Sequence, residues 1–321
     1  MNARANTNHA PAVSVVIPVY NEEGNLKALW DELKPVLDGL GAPCEAVFVD
    51  DGSSDRSPEI LADLHARNPE VTVVRFARNF GQQMANTAGL RFARGKAVII
   101  MDADLQTPAE HIPEFLAKLR EGCDIVYGVR ERIPGPLYRR IGTRIANRFI
   151  CAMTGFEIPD SASGFLALDR ALVERVNRYN DRSRYLSGLF AWLSYGRYGA
   201  IPVTRRQRFS GESKYTFHQL VRIVLTFVYS FSVRPLRLIL AAGAAVLALS
   251  GWAFVWAAAV HLGLAPGASG PAWLTAGMLT IAGFQLSALG AAGVYTAEVY
   301  AGVRERPSYV IWEALGWDGT P

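Results

Sequence analysis

The chain has three cysteines among its 321 residues, and their positions exclude several classes of protein. Cys44, Cys123 and Cys151 show neither metal-ligand nor disulfide spacing, so neither a zinc module nor a disulfide-stapled domain is predicted, and a reducing compartment is favoured. The first dozen residues are polar and lack the apolar core of a signal peptide. We therefore expect the N-terminal part to remain in the cytoplasm.

Two glycine-rich phosphate motifs are also missing from the chain. Neither GxGxxG nor GxxxxGK[ST] occurs, which excludes the phosphate sites of dehydrogenases and P-loop enzymes. There is no internal repeat and no low-complexity linker. No nucleic-acid-binding module is recognisable, so nucleic acid is not an expected partner despite the net charge of +4.

Asp, Glu, Lys and Arg are all absent from Leu238 to Ala297. Within this stretch, Leu238–Val260 and Trp273–Ala297 are each long enough to cross a hydrocarbon core of about 30 Å. The Pro- and Gly-containing run 266–271 separates them. The pattern predicts two transmembrane helices in a hairpin, preceded by an amphipathic helix over 215–235 that lies in the bilayer interface.

Basic residues flank the predicted hairpin on both sides, whereas the loop between its helices has none. The flanking cations are Arg205, Arg206, Arg208, Lys214, Arg222, Arg234, Arg237, Arg304 and Arg306. The positive-inside rule then places both flanks in the cytoplasm. We expect a multi-pass protein of the inner (plasma) membrane whose large N-terminal part is cytoplasmic.

Apolar runs alternate with helical patterns through the N-terminal two-thirds of the chain. The strand candidates are Val13–Val19, Glu45–Val49, Val71–Phe76, Ala97–Met101 and Asp124–Val129. The helix candidates are Glu22–Leu40, Ser57–Arg67, Gln82–Ala93 and Pro108–Arg120. Such alternation predicts an α/β fold with a doubly wound, mainly parallel sheet.

An acidic pair, Asp102 and Asp104, directly follows one of the predicted buried strands. Open α/β sheets bind ligands at the carboxyl ends of their strands, and extended residues two apart share a side. Mutual repulsion between two close carboxylates is relieved by a hard divalent cation, which can also neutralise a diphosphate. A pair of solvated loop acids is the alternative interpretation.

Other predicted strands also end in polar residues. Tyr20 can stack on a ring, and Asp50 can accept a hydrogen bond from a base. The run 51–55 alone is typical of a helix-capping turn, and the run 78–82 follows the third strand at the same sheet edge. Together with the acidic pair, these loops indicate a cleft for a nucleotide and a metal.

Several motifs in order along the chain resemble membrane-bound family 2 glycosyltransferases of GT-A fold that act on polyprenyl phosphates. The matching segments are VVIPVYNEEGNL (15–26), VDDGSSDRS (49–57), RNFGQQMANTAGL (78–90), DADLQTP (102–108), DSASGF (160–165), RFSGESKYT (208–216) and EVYAGVRERPSYV (298–310). The resemblance includes dolichol-phosphate mannose synthases, bactoprenol glucosyltransferases and undecaprenyl-phosphate aminoarabinose transferases, and it covers almost the whole chain.

The resemblance implies a role for each matching position. The nucleotide-binding positions are Pro18, Tyr20, Glu22 and Asp50, joined at the donor site by Asp51, Arg78 and Gln82. Asp102 and Asp104 would hold Mg²⁺ or Mn²⁺ on the diphosphate, with Gln106 beside them. Asp160 matches the family's acidic residue near the acceptor, while Arg208 and Lys214 would bind phosphate and contribute to catalysis.

Two features modify this assignment. Family members often have Arg after the SGF sequence, whereas this chain has Leu166, so one phosphate or sugar contact is lost or is supplied elsewhere, for example by Arg130 or Arg132. A lipid phosphate is already anionic near pH 7 because its second pKa is about 6. The acceptor scarcely needs the general base that the family implies, so Asp160 is expected to orient the acceptor or stabilise developing sugar charge instead.

The sequence thus predicts a domain order. It comprises a flexible N-terminus (1–12), a cytoplasmic GT-A catalytic domain (13–214), an interfacial helix (215–235), two transmembrane helices (236–297, about 238–260 and 273–297) and a cytoplasmic tail (298–321). The family resemblance also implies a homo-oligomer, such as a tetramer.

The predicted function is metal-dependent, inverting transfer of a sugar from a nucleotide diphosphate to a polyprenyl phosphate at the cytoplasmic membrane face. UDP is the preferred nucleotide, and a synthase that uses GDP-mannose is the alternative. A processive polysaccharide synthase would carry a QxxRW motif, which the chain lacks. A non-catalytic membrane scaffold is the alternative from another class, and a flippase is disfavoured because the hairpin has no charged residues.

Overall fold

A computed structural model gives the fold of the chain. It describes residues 11–130, 148, 151–152, 162–179, 186–194, 196–204, 206, 234–264, 266, 271–303 and 307–317. The chain divides into two compact units. The sheet unit comprises Met1–Cys151, Phe156–Thr216 and Arg306–Pro321, and the helical unit comprises Ala152–Gly155 and Phe217–Glu305.

An eight-stranded sheet forms the centre of the sheet unit, in the order β7-β5-β6-β4-β1-β2-β3-β8. The strands are β1 Val13–Val19, β2 Cys44–Asp50, β3 Val71–Phe76, β4 Ala97–Ile100, β5 Ile125–Arg130, β6 Ala162–Asp169, β7 Tyr198–Val203 and β8 Ile311–Leu315. The four strands β3, β2, β1 and β4 are parallel neighbours, whereas β6 and β8 run antiparallel to the strands beside them. The predicted α/β class is confirmed, with a mixed sheet.

Helices lie between the strands along the chain and cover the sheet. They are α1 Leu26–Gly39, α2 Ser57–Arg67, α3 Gln82–Phe92, α4 Ile112–Arg120, α5 Arg170–Arg178 and α6 Leu186–Leu193, with a short 3-10 turn at Ala109–His111. Every residue of β1 is buried, as expected for a parallel strand with both faces covered. Helix α1 starts four residues later than predicted, because residues 21–25 form a loop in which Asn21 has a left-handed φ of 55°.

The segment predicted as a C-terminal tail contributes an edge strand. Strand β8 pairs antiparallel with β3, and the neighbouring Tyr309 ring stacks on Phe76 with centroids 4.9 Å apart. Further along, Arg94 lies over the ring of Trp317. The chain therefore leaves the sheet unit for the helical unit and afterwards returns to the same sheet.

The helical unit contains α7, Arg234–His261, and α8, Pro271–Val303. Among the described residues, Leu236–His261 is the one helix whose length and composition suit a membrane span. Gly243 of α7 lies so close to Phe284 of α8 that an added Cβ would be 2.4 Å from the ring. The two helices thus pack tightly on each other, while many of their apolar side chains, such as Leu240 and Leu289, are exposed. The predicted interfacial helix lies outside the described residues, apart from its last two, Arg234 and Pro235, which begin α7.

A buried carboxylate joins three strands at the end of the sheet where the parallel strands begin. Glu45, 2% exposed, accepts hydrogen bonds from the Ser14 hydroxyl (2.6 Å) and the Arg94 backbone N–H (2.7 Å). Its second oxygen accepts from the Arg94 guanidinium at 2.6 and 2.9 Å. The Ser14 hydroxyl in turn accepts the Gly95 N–H at 2.7 Å. Glu45 therefore holds β1, β2 and the approach to β4 together.

We predict that Glu45→Ala destabilises the protein by about 2–4 kcal/mol, because it leaves a buried hydroxyl and a backbone N–H without their acceptor. Thermal unfolding of the detergent-purified full chain measures the effect. Glu59→Ala is the matched control, since Glu59 pairs with Arg56 on the exposed surface and should change stability by less than about 0.5 kcal/mol. Equal losses in the two variants would contradict this role for Glu45.

Candidate functional site

A cleft of about 280 Å³ opens at the carboxyl ends of the parallel strands. Its lining comes from the loops after β1, β2, β3 and β4, which meet because parallel strands end at one sheet edge. The lining residues are Pro18, Val19, Tyr20, Glu22, Asp51, Asn79, Gly81, Gln82, Asp102, Ala103 and Asp104. The structure thus brings most of the predicted donor-site residues together.

Asp51 connects two of these loops. Its two carboxylate oxygens accept the backbone N–H groups of Phe80 (2.7 Å) and Gly81 (2.8 Å), and its own N–H donates to Val19 (2.8 Å). Burial raises the pKa of this carboxyl above its usual range, although the two N–H donors favour the ionised form. Asp51 therefore lines the cleft and also determines the position of the loop after β3.

Asp50 lies on the opposite side of the strand end. Its side chain is fully buried, accepts the Ser53 N–H at 3.0 Å and lies 3.4 Å from the guanidinium of Arg75. It faces a second cavity, of about 220 Å³, that Arg75 also lines. Successive extended residues point to opposite faces, which agrees with the opposite directions of Asp50, the last residue of β2, and Asp51, which follows it. The structure brings Asp51 to the cleft and does not bring Asp50 there.

A glycine permits the close approach of the loops after β2 and β3. Gly52 has φ 69°, and an added Cβ would lie 2.4 Å from the carbonyl carbon of Arg78 and 2.7 Å from the nitrogen of Asn79. Any other residue would meet backbone at this point and adopt an unfavourable left-handed conformation. Gly52 therefore allows the loops after β2 and β3 to meet at the place where Asp51 bonds them together.

The loop after β1 is attached to the polar run 51–57 by several hydrogen bonds. The Asn21 side chain accepts the Ser54 N–H at 2.8 Å, and the Asn21 and Glu22 N–H groups donate to Ser53 and Ser57, each at 3.0 Å. This polar run is therefore more than a helix-capping turn, because it shapes the loop that carries Tyr20. The Tyr20 ring is 49% exposed at the cleft, where a planar ligand can stack on it.

Asp102 is held from two directions. The amide nitrogen of Gln82 donates to its Oδ1 at 2.7 Å. On another side lies Gly164 of β6, where an added Cβ would be 2.6 Å from Asp102 Oδ2. Gly164 leaves space that the carboxylate occupies. The sequence motif ending in SGF contains this glycine, but its contact with Asp102 was not predicted.

Asp104 lies in a strained turn. Its Oδ1 accepts the backbone N–H of Gln106 at 3.1 Å, and Leu105 between them has φ 58°. A non-glycine residue in the left-handed region costs of order 1–3 kcal/mol and often marks a functional loop. Gln106, also predicted at the donor site, contacts Asp104 through its backbone, is 7% exposed and is not among the residues that line the cleft.

The donor set at the end of β4 suits a hard divalent cation. Two carboxylates, Asp102 and Asp104, line the same cleft. The Asp102 carboxylate occupies space that is left by the missing side chain of Gly164. No cluster of three or more His, Cys, Asp or Glu side chains suited to a metal occurs among the described residues. A cation here would take its remaining ligands from a diphosphate and from water, as Mg²⁺ commonly does.

Arg78, a predicted donor-site residue, and Leu166, which stands where family members often have Arg, are both placed away from the cleft lining. The guanidinium of Arg78 lies over the Phe80 ring, 4.3 Å from its centroid. Leu166 is 8% exposed within β6 and pairs with Ile100 and Tyr127, so its apolar side chain belongs to the core. Arg130 ends β5, but its side chain, together with Arg132, Asp160, Arg208 and Lys214, lies outside the described part of the chain.

Asn79 and Gly81 also line the cleft. Neither was predicted individually, although both lie within the run 78–82 that the sequence placed at this sheet edge. The positive φ of Gly81, 93°, is one reason for a glycine at that position. The recurring polar residues after each strand were the signal that could have identified Asn79.

A mixed α/β sheet with two aspartates after β4 defines the GT-A class of glycosyltransferase fold. Glucosyl-3-phosphoglycerate synthase from Mycobacterium tuberculosis, solved with Mn²⁺, UDP and glucosyl-3-phosphoglycerate, has this fold with a TM-score of 0.50. It is 21% identical, and the match covers 69% of this chain and 80% of the synthase. At this identity the likeness establishes the fold alone.

Residues 14–176 match the family model described as Glycosyl transferase family 2. An uncharacterized glycosyltransferase of Synechocystis sp., sll0501, is 36% identical over 96% of this chain and 97% of its own length. Undecaprenyl-phosphate 4-deoxy-4-formamido-L-arabinose transferase of Salmonella heidelberg is 34% identical over 96% and 95% of the two chains. The chain belongs to glycosyl transferase family 2, and the protein is a glycosyltransferase.

We predict that Gly164→Ala lowers sugar transfer by about a hundredfold, because displacement of a reacting-site group by about 1 Å can cost that much. The new Cβ would push the Asp102 carboxylate out of its position. Gly39→Ala is the control, since nothing lies within 4 Å of its added Cβ. Initial rates of both variants measure the effect, and full activity of Gly164→Ala would show that the Asp102 position does not depend on this contact.

Proposed function

We propose that the protein transfers a sugar from a nucleotide diphosphate to a polyprenyl phosphate at the cytoplasmic face of the membrane. The observation that carries this proposal is the cleft in which Asp102 and Asp104 lie beside Tyr20 and Asp51. The acceptor class is supported by the relative named undecaprenyl-phosphate 4-deoxy-4-formamido-L-arabinose transferase, which matches this chain over 96% of its length.

The donor lies in the cleft with its base against Tyr20 and its diphosphate near the end of β4. Tyr20 offers a ring face for stacking, and Glu22 lines the wall beside it. UDP is the proposed nucleotide because the chain resembles transferases that use it, with GDP as the alternative. Asp51 and Gln82 shape this site through their contacts with Gly81 and Asp102.

Asp102 and Asp104 would hold Mg²⁺ or Mn²⁺. Carboxylate oxygens are the ligands that these hard cations prefer. When bound, such an ion neutralises charge on the diphosphate that departs from the sugar. Gln82 keeps Asp102 oriented through the 2.7 Å hydrogen bond to Oδ1, and the Gln106 N–H does the same for Asp104.

The transfer is a single displacement at the anomeric carbon. An anionic oxygen of the lipid phosphate forms the new C–O bond. At the same time the bond from the anomeric carbon to the nucleotide diphosphate breaks, and its electron pair leaves with the diphosphate oxygen. The configuration at the carbon is therefore inverted. Arg208 and Lys214 would bind the acceptor phosphate. Asp160 would orient the acceptor or stabilise the developing charge, since the phosphate carries no proton that must be removed near pH 7.

The protein spans the membrane twice in this proposal. Helix α7 includes the apolar segment Leu236–His261, with a mean hydropathy of 2.2 and many exposed apolar side chains. Such a surface is unfavourable in water. Because the chain returns after α8 to form β8 of the same sheet, any crossing by α7 requires a return crossing. Helix α8 supplies it, and its packing on α7 at Gly243 supports this role.

We predict that Asp104→Asn removes most metal-dependent turnover and leaves the protein folded. One neutral amide oxygen replaces a charged ligand, so sugar transfer should fall by at least about a hundredfold. Membranes incubated with radiolabelled UDP- and GDP-sugars, followed by lipid extraction, identify the donor and measure the loss. Transfer that resists EDTA, or a fully active Asn variant, would contradict the metal assignment. Absence of labelled lipid with every donor would contradict the proposed polyprenyl-phosphate acceptor.

Membrane topology is testable by cysteine labelling in a background without Cys44, Cys123 and Cys151. An impermeant maleimide applied to intact cells should label Leu264→Cys, because Leu264 lies between the two proposed spans. Ala66→Cys and Val310→Cys should remain unlabelled until the cells are lysed, because their segments belong to the cytoplasmic sheet unit. External labelling of either would contradict the proposed orientation.

A further inference from the structure

We propose that the ion pair between Glu32 and Arg206 is a positioning link. It fixes Arg206, which precedes the proposed phosphate ligand Arg208 by two residues, against the loop that carries Asp104. This inference rests on the proposed function and extends it to two residues outside the cleft. Glu32 belongs to α1, and Arg206 follows β7. The link thereby fixes the point from which the chain continues to Arg208, the proposed ligand of the acceptor phosphate.

A short chain of hydrogen bonds connects Arg206 to the candidate metal ligand. The Arg206 backbone N–H donates to the carbonyl oxygen of Gln106 at 2.9 Å. The Gln106 N–H in turn donates to Asp104 Oδ1 at 3.1 Å. Since Gln106 is nearly buried, it cannot readily give up either contact. A shift of Arg206 would therefore change the position of the Asp104 carboxylate.

Glu32 bonds both to Arg206 and to the end of the loop that carries Asp104. One of its carboxylate oxygens accepts the Ala109 N–H at 3.0 Å, at the end of the loop that begins with Asp102. The other accepts the Arg206 guanidinium at 2.7 Å, and that guanidinium also lies 3.7 Å from the Glu110 carboxylate. A planar guanidinium can serve two carboxylates at once, which the point charge of lysine does less well.

Both partners are attached to ordered structure. Leu29 and Leu33, which flank Glu32 in α1, are buried in the core. After β7, the Thr204 hydroxyl lies 3.3 Å from the His111 ring nitrogen. This contact also joins the residues after β7 to those after β4. The segment that leaves β7 is thus bonded to the loop after β4 at Thr204 and again at Arg206.

The position of Arg206 in the chain gives the link its consequence. Arg208, the proposed phosphate ligand, follows two residues later, and two extended residues reach at most about 7 Å. Whatever holds Arg206 therefore limits where the acceptor-binding segment can begin. An exposed ion pair ordinarily contributes little to stability. A link that acts on function would instead alter use of the acceptor with little change in unfolding.

The test uses the purified full chain with two single variants, Arg206→Met and Glu32→Gln, and their combination. Glu32→Gln keeps an oxygen for the Ala109 N–H and removes the charge that holds Arg206. The variant Arg67→Met is the matched control, because Arg67 pairs with Asp63 on an exposed helix surface. Calorimetry measures UDP affinity in the presence of Mn²⁺. Initial rates in mixed micelles give kcat and KM for undecaprenyl phosphate.

We expect each single variant to raise the KM for undecaprenyl phosphate three- to tenfold, with UDP affinity within twofold of the wild type. The double variant should be no worse than the more affected single variant, because both substitutions remove one interaction. Arg206→Lys should recover part of the loss, and Arg67→Met should behave as wild type.

The link would be overturned by unchanged acceptor kinetics in an active protein, by additive losses in the double variant, or by equal losses of UDP affinity. Those results would leave the proposed function standing. A folded wild-type protein that binds UDP and transfers sugar to no polyprenyl phosphate would overturn the proposed function, and the link with it.

Discussion

The carboxylate of Asp51 bonds to the backbone of Phe80 and Gly81, and the geometry of the whole cleft depends on this interaction. It joins the end of β2 to the loop after β3. Gln82 is the next residue of that loop, and it orients Asp102. On its other side, Asp102 packs against the bare Cα of Gly164. The residues that follow β2, β3 and β4, together with Gly164 of β6, thus form one continuous set of contacts beside the carboxylate pair.

Such an arrangement explains why polar residues concentrate at one sheet edge. The loop after β1 is bonded to the run 51–57, and the turn at Leu105 stores backbone strain. The opposite end of the sheet carries the buried Glu45, whose partners are structural. One end of the sheet therefore stabilises the fold, while the other presents carboxylates that a bound ligand can use.

The C-terminal strand β8 makes the helical unit an insertion within the chain of the sheet unit. Because β8 pairs with β3, the chain on both sides of α7 and α8 belongs to one sheet unit. Contacts of Tyr309 with Phe76 and of Trp317 with Phe92 hold this strand's flanks. A five-residue strand at a chain end has little local signature, so the sequence suggested a tail there.

Local sequence pattern by itself determined the α/β class, the positions of β1 to β5, the acidic pair after β4 and the uncharged stretch near the C-terminus. These features follow from hydrophobic runs and turn residues, which act over a few neighbours. Only the tertiary structure decided that Asp51 rather than Asp50 faces the cleft, that Gly164 makes room for Asp102, and that Ile311–Leu315 completes the sheet. Each of these depends on which face of a strand is covered, or on segments far apart in the chain that come into contact, and neither is encoded in local spacing.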